Sequence, residues 1–444
     1  MAAAPQASLP KQCGSWGDLK AAYRLLSNGA VDPQAIQGPH HRQTRQSCVG
    51  HAVVLCVQDD TDLDFTQRTK TRGLGMVGNT RARGLMQHTT LAVLPEGGLL
   101  GILDQRWFTR VPMPEGETRR ERQARWRESQ VWSEAVEAVG RPPRGTRFVH
   151  VADRASDNFE FLEACSTQGV DFVIRAKHDR RVEGATAKLW DWMAGHPVAG
   201  RLTVSVSVQR ARPNRAARRA REAQVSVRFG RVQLDIPWNH PGGHGKPKSV
   251  YALYAREVYP PSDGDPIDWM LLTNEPICDW ESAQRVLRWY ERRWVIEEWH
   301  RVEKEGCRLE ASQLDDVTDL QRLAAILGVI GVRMLQLRDL AGLGGADRWA
   351  DASGADHADD PKALQGAVPP IWVLMVSQLA KVASHDLTPR QFWLAIAKQG
   401  GWLGRKRDGR PGWKVIWRGW YDIHMMVRGA EAHAAATAKP QRCG

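Results

Sequence analysis

Between residues 52 and 175 the spacing of apolar side chains switches from every second position to every third or fourth and back again. That alternation restricts the chain to a mixed α/β sheet. Strand patterns fall at 52–58, 85–94 and Leu99–Phe108, the last two joined by Pro95-Glu96-Gly97-Gly98, which is hairpin chemistry. A charged helix is expected over 117–139, closed by Gly140 and the Pro142-Pro143 pair. A strand at Arg147–Ala152, a helix at 158–167 and a strand at Asp171–Arg175 complete a β-β-β-α-β-α-β order.

The character changes after residue 180. Alternating Leu202, Val204, Val206 and Val208, then Val225 and Val227, then Val232, Leu234 and Ile236, describe half-buried antiparallel strands. Six arginines crowd residues 210–221 between them, read either as a solvated loop or as a nonspecific phosphate grip. Beyond Pro276 the pattern is helical, over 281–305 and 316–340, with a loop at 346–360. At the other end, the Ala/Pro-rich first dozen residues are expected to be disordered. An amphipathic helix is expected over 16–27, and a polar stretch over 37–45.

Composition narrows the partners. The 444 residues carry 62 Lys+Arg against 50 Asp+Glu, a net charge of +12, which favours a polyanion and nucleic acid first. The longest apolar run, 323–332, has ten residues. A bilayer-spanning helix needs about 20, so the reading excludes an integral membrane protein. Seven scattered cysteines without a CxxC pair argue against a zinc ribbon or disulfide scaffold, and no secretory leader is visible. A cytoplasmic protein is the simplest expectation.

Three acidic positions stand out. Asp59, with Asp60 beside it, ends the first strand; Asp153 ends the fourth; Glu297 lies in the helix after Pro276. Carboxylates at strand ends sit where α/β sheets build their sites, although an Asp there is also ordinary turn chemistry. Together they suit two Mg²⁺ ions, or Mn²⁺, about 3.5–4 Å apart, in phosphodiester chemistry. Tyr290, Arg293, Glu297 and Lys304 fall within a stripe about 60° wide on one helix. That stripe suits a phosphate backbone across a metal site, or else a solvated face with an Arg293–Glu297 pair.

The string from Tyr290 to Lys304 resembles the Y-x2-R-x3-E-x6-K signature of the IS4-family DDE transposases, the group of the Tn5 transposase. The segments Cys56-Val57-Gln58-Asp59-Asp60-Thr61 and Val151-Ala152-Asp153-Arg154 resemble the strands carrying that family's two catalytic aspartates. The likeness continues through Phe172 to Lys177, Asp268 to Thr273, Gly400 to Gly404 and Trp413 to Trp420. It implies an α/β fold: an RNase H-like catalytic core interrupted by a β-rich insertion, with helical N- and C-terminal regions. The implied organisation is a partial DNA-end-binding region at 1–45, core at 46–179 and 279–345, insertion at 180–278, and a helical dimerisation region at 346–444. Asp59, Asp153 and Glu297 would hold the metals, with Asp59 preferred to Asp60. Tyr290, Arg293, Lys304, Arg175 and Lys177 would grip phosphates, and Trp269 and Trp294 would stack on bases of a hairpin intermediate. His88 reads as structural, and Trp289 and Trp299 as core.

The implied protein is a cut-and-paste transposase of an insertion sequence, working on double-stranded DNA, at transposon ends and target, as a homodimer in a synaptic complex. Family members usually begin with an additional basic helix that contributes to recognition of the transposon end; here only the second part of that region, from Cys13 through Leu26, is visible. The alternative is therefore a truncated, non-catalytic regulator that binds DNA or dimerises.

Overall fold

The computed structural model describes residues 1–78, 82–110, 114–118, 121, 125–206, 220–236, 248–261, 266–343 and 357–437. Strand β1 (Val53–Asp64) is the axis of its sheet. On one side it pairs antiparallel with β3 (Arg83–Val93) from Leu55 to Asp64. On the other it pairs parallel with β5 (Arg147–Ala152), but only from Val53 to Val57. The far side of β3 carries β4 (Leu99–Phe108) and the short β2 (Gly75–Met76).

Beyond β5 come β6 (Asp171–Arg175), parallel to it, and then β10 (Asp268–Thr273), antiparallel to β6. The antiparallel strands β9 (Lys248–Glu257), β8 (Arg221–Leu234) and β7 (Gly200–Val206) follow. The β-rich stretch after residue 180 thus lengthens the same ten-stranded sheet.

Alternation along β1 divides the molecule into two layers. Val54 and Cys56 join Phe148, Phe172 and Ile174 under α4 (Val131–Val139), α5 (Phe159–Gln168) and α6 (Leu189–Ala194). Leu55 and Val57 join Val149, Val151, Val173 and Leu271 on the opposite face. That face is covered by α7 (Trp280–Glu291), α8 (Trp294–Arg301) and α9 (Val317–Leu340). The same apolar layer continues into α10 (Pro370–Ala380), α11 (Pro389–Gln399) and α12 (Trp413–Thr437). A mixed α/β sheet between helical ends is therefore the architecture, in agreement with an RNase H-like core.

By length and composition α9 could cross a membrane, the only described helix to do so, but 72% of its most apolar window is buried. Arg322 and Arg338 on it are also buried and paired, as suits the central helix of a folded core.

Several elements depart from the sequence reading. The first dozen residues are ordered against the C-terminal layer: Ala4 is buried, α1 (Leu9–Gln12) forms ahead of the expected helix, α2 (Trp16–Leu26), and the Gln6 side-chain amide donates to the Trp417 carbonyl at 3.1 Å. The polar stretch 37–45 is part of a helix, α3 (Pro33–Ser47). Its buried side chains are Gln37, His40 and Thr44, so an apolar periodicity could not reveal it. The expected 117–139 helix is regular only over α4, after a 3₁₀ turn at Glu128–Gln130; residues 119–120 and 122–124 are not described.

The expected single helix 281–305 is three pieces. It tightens at Arg292 and Arg293, where Arg293 N bonds Tyr290 O at 3.1 Å, and widens into a π-turn at Val302–Gly306. Such departures from 3.6 residues per turn undo the stripe arithmetic. Gly306 ends the π-turn because any Cβ there would run into the Trp417 indole, which ties this turn to α12. Arginines 210–219 and most of the 346–360 loop lie outside the described residues; Arg221 pairs with Glu257 at 2.8 Å.

Candidate active site and nucleic-acid interface

Strand register assembles the site. The last parallel pair between β1 and β5 is Val57 with Val151, both in the apolar layer under α7–α9. Two residues further on are Asp59, still within β1, and Asp153, the extended residue just past the end of β5, which strand alternation puts on the same face. Ala152 pairs with Ile174, so the same row continues to Arg175 on β6. Arg175 is opposite Leu271 on β10. The row Asp59, Asp153, Arg175 is thus the polar continuation of the apolar row Val57, Val151, Val173. Asp59 lies inside β1 rather than at its end, because β3 pairing carries the strand on to Asp64 after β5 pairing stops.

Arg293 closes the site from the helical side. Its Nη1 donates to Asp59 Oδ2 at 3.0 Å and its Nη2 to Glu297 Oε1 at 2.7 Å. Burial alone would lower the Arg293 pKa, but Asp59, Tyr290 and Glu297 hold it above the ordinary value. Asp59 is pushed up to about 7, first by burial, with Asp153, Glu297 and Asp60 adding to the rise against the pull of Arg293. Asp153 caps the 3₁₀ turn Arg154–Ser156 by accepting from Ala155 N at 2.7 Å.

Tyr290 is buried beneath this group. Its hydroxyl is held un-ionised, pushed upward first by burial, while Arg293 and Arg175 pull it back. Arg175 donates to the Asp268 carbonyl at 2.7 Å, and burial lowers its pKa. The Trp269 ring meets Tyr290 edge-on at 5.6 Å, and the Arg293 guanidinium lies 5.3 Å from the Trp294 ring centre. Trp294 is 37% exposed, whereas Trp289 and Trp299 are buried in the core.

Lys304 and Lys177 frame the site without entering it. On the π-turn, Lys304 binds the Asp62 carbonyl and lies 3.7 Å from Glu310, at the far end of β1. Lys177 follows β6, and its backbone N donates to the buried Asp157 at 2.6 Å. Asp157 also accepts from Arg180, which locks the loop bearing Lys177 to the turn bearing Asp153. The Lys177 side chain itself is exposed, with no partner among the described residues.

Asp60 faces the other way. Its Oδ1 is 2.6 Å from His88 Nδ1, His88 Nε2 is 3.2 Å from Gln58, and Gln58 is 2.6 Å from His150. Trp132 of α4 packs edge-on against His88 at 4.7 Å. Parity along the strand therefore separates the Asp59-Asp60 doublet: only Asp59 reaches Arg293 and the Glu297 side. The Asp60–His88–Gln58–His150 ladder has no sequence motif; only the alternation of β1 would have hinted at it.

Carboxylate oxygens that repel one another in a buried place fit Mg²⁺ or Mn²⁺. Among the described residues, no three His, Cys, Asp or Glu side chains converge as ligands. Arg293 lies between Asp59 and Glu297 instead.

Asp59 on β1, Asp153 just beyond β5 and the helix-borne Glu297, with Arg293 joining the first to the last, thus sit on one face of an RNase H-like α/β sheet. A family model described as "Transposase DDE domain" matches residues 128–330, and one described as "Transposase DNA-binding" matches residues 1–31. The chain belongs to the DDE transposases. The DDE match includes Asp153 and Glu297 and begins beyond Asp59, which is placed beside them by strand register and by its bond to Arg293.

Proposed function

We propose that this transposase is a cut-and-paste enzyme of an IS4-type insertion sequence, with Asp59, Asp153 and Glu297 as its metal-binding triad. The observation that carries this reading is the Asp59–Arg293–Glu297 bridge beside Asp153, which joins both halves of the sheet-and-helix core at one point. Bound Mg²⁺ or Mn²⁺ would activate the attacking oxygen and stabilise the leaving one. Arg293, Tyr290 and Arg175 hold the phosphates beside the scissile bond, and exposed Lys177 attracts the flanking backbone. Lys304, through Asp62 and Glu310, fixes the end of β1 and so supports the site from outside.

Water attacks the phosphodiester at the element's end, and the freed 3′-OH then attacks the opposite strand to form a hairpin. Trp294 and Trp269 offer stacking faces for bases unpaired in that turn. The reopened end joins target DNA. Leu374 and Leu379 on α10 and Met425 on α12 are exposed apolar side chains, which supports a homodimer through the C-terminal helices. The proposed divisions are DNA-end binding at 1–45, core at 46–179 and 279–345, insertion at 180–278 and dimerisation at 346–444, and the expected setting is the bacterial cytoplasm.

The test is cleavage of a duplex carrying the element's own end, with Mg²⁺, by this chain and its Glu297→Ala variant. A nick and a hairpin that both vanish in the variant support the reading. Products that persist in the variant overturn it.

A further inference from the structure

Arg293 stands where a cation would be expected. Its two terminal nitrogens divide between carboxylates from different parts of the chain, Asp59 at 3.0 Å and Glu297 at 2.7 Å. The side chain is only 12% exposed, and its Nε is buried without a hydrogen-bond partner among the described residues. A divalent ion that used the Asp59 and Glu297 oxygens would need the guanidinium to leave. Withdrawing it with nothing in exchange would leave the largely covered Asp59 carboxylate, 15% exposed, and the more open Glu297 carboxylate, 36% exposed, without their shared counter-charge, which is unfavourable chiefly at Asp59. The planar fork that satisfies two carboxylate oxygens satisfies two phosphate oxygens equally well. The face of Trp294, 5.3 Å away and 37% exposed, lies alongside the guanidinium on the way to the surface.

We propose that Arg293 is an internal counter-cation that Asp59 and Glu297 surrender to a DNA phosphate, so that DNA binding and divalent-cation binding promote each other. The proposal rests on the transposase reading of the site. Without DNA the guanidinium competes with the metal for the same oxygens. With a phosphate at hand it changes partner, and the oxygens become available. By linkage the metal must then tighten DNA binding by the same factor. The arrangement would keep the site inert until an end is seated, which limits stray cleavage.

The experiment is calorimetric titration of Mn²⁺ into the full chain, alone and with a duplex taken from the DNA flanking its coding sequence. It is run cold enough that a gel shows no strand cut. The wild type is expected to bind Mn²⁺ at least about tenfold more tightly with the duplex than without, and to bind the duplex correspondingly more tightly with Mn²⁺. Arg293→Gln is expected to bind Mn²⁺ about tenfold more tightly than wild type in the absence of DNA, and to show no further gain with it. Arg293→Lys, which keeps the charge and loses the fork, should fall between the two.

Equal Mn²⁺ affinity with and without the duplex in the wild type overturns the proposal, whatever the variants do. So does an Arg293→Gln protein, folded by circular dichroism, that binds Mn²⁺ no better than wild type. Asp59→Ala and Glu297→Ala separate the two levels of the argument. If they leave Mn²⁺ binding intact, the metal-triad reading itself fails; if they abolish it while Arg293 has no effect, only the counter-cation role fails.

Discussion

The two faces of β1 treat adjacent aspartates in opposite ways. On one, Asp60 is matched by His88, Gln58 and His150 in a buried ladder closed by Trp132. On the other, Asp59 is buried near Asp153 and Glu297 with one guanidinium between it and Glu297, and its carboxyl is driven up to about 7, first by burial. The first face resembles ordinary interior chemistry, where polar groups are buried only with partners. The second keeps carboxylates close around one guanidinium, an arrangement that suits the cation and phosphate binding proposed above.

Substitutions should separate these faces sharply. On the Asp59 face, Glu297→Ala is expected to lower strand cleavage by about 10³-fold or more while the melting temperature stays near wild type. A comparable loss of stability would place Glu297 with the structural face instead. On the Asp60 face the pattern should invert. His88→Ala removes a fully buried ring with two polar partners and an aromatic neighbour, and is expected to cost about 3 kcal/mol in chemical denaturation. Cleavage by the fraction that remains folded should be far less affected than in Glu297→Ala.

Glu303, on the π-turn beside Lys304, offers a pH readout of the same kind. It is fully buried, accepts from Gln87 at 2.6 Å, and its carboxyl is raised to about 8, chiefly by burial. The folded state therefore retains this proton at pH values where the unfolded chain has lost it. Its contribution to stability is present below the unfolded value of 4.5 and declines as pH rises toward about 8. Glu303→Gln should remove that decline, so its advantage in melting temperature over wild type grows between those two pH values. The gain should reach a few kcal/mol at most, roughly.

Smaller effects belong to the rim. Trp294→Ala is expected to reduce hairpin formation about tenfold with the first nick retained, read from the two products on one gel. Lys177→Ala should leave stability unchanged, weaken DNA binding a few-fold, and reduce the salt slope of binding by about one. A salt slope that does not move would take Lys177 out of the interface.

Much of this was legible in the residues. The alternation of apolar positions announced a mixed sheet and the acidic residues after Val57 and Ala152 stood out at strand ends, while the spacing from Tyr290 to Glu297 left a solvated face open and gained its meaning only through the resemblance to the IS4-family signature. Helix α3 was not legible, because its buried face is Gln37, His40 and Thr44 rather than aliphatic. The common stripe for Lys304 failed because the helix tightens at Arg293 and relaxes into a π-turn before Gly306, where Trp417 presses in.

What the sequence by itself determined is therefore the inventory: which strands form, which carboxylates and arginines are available, and a net charge that favours a polyanionic partner. Tertiary structure decided which of them meet. The side-chain period of a strand is two, so pairing Val57 with Val151 puts Asp59 and Asp153 on the same face and sends Asp60 to the opposite one. A one-residue slip would break that alignment. No local pattern specifies the register, because it is set by long-range packing of both apolar layers at once.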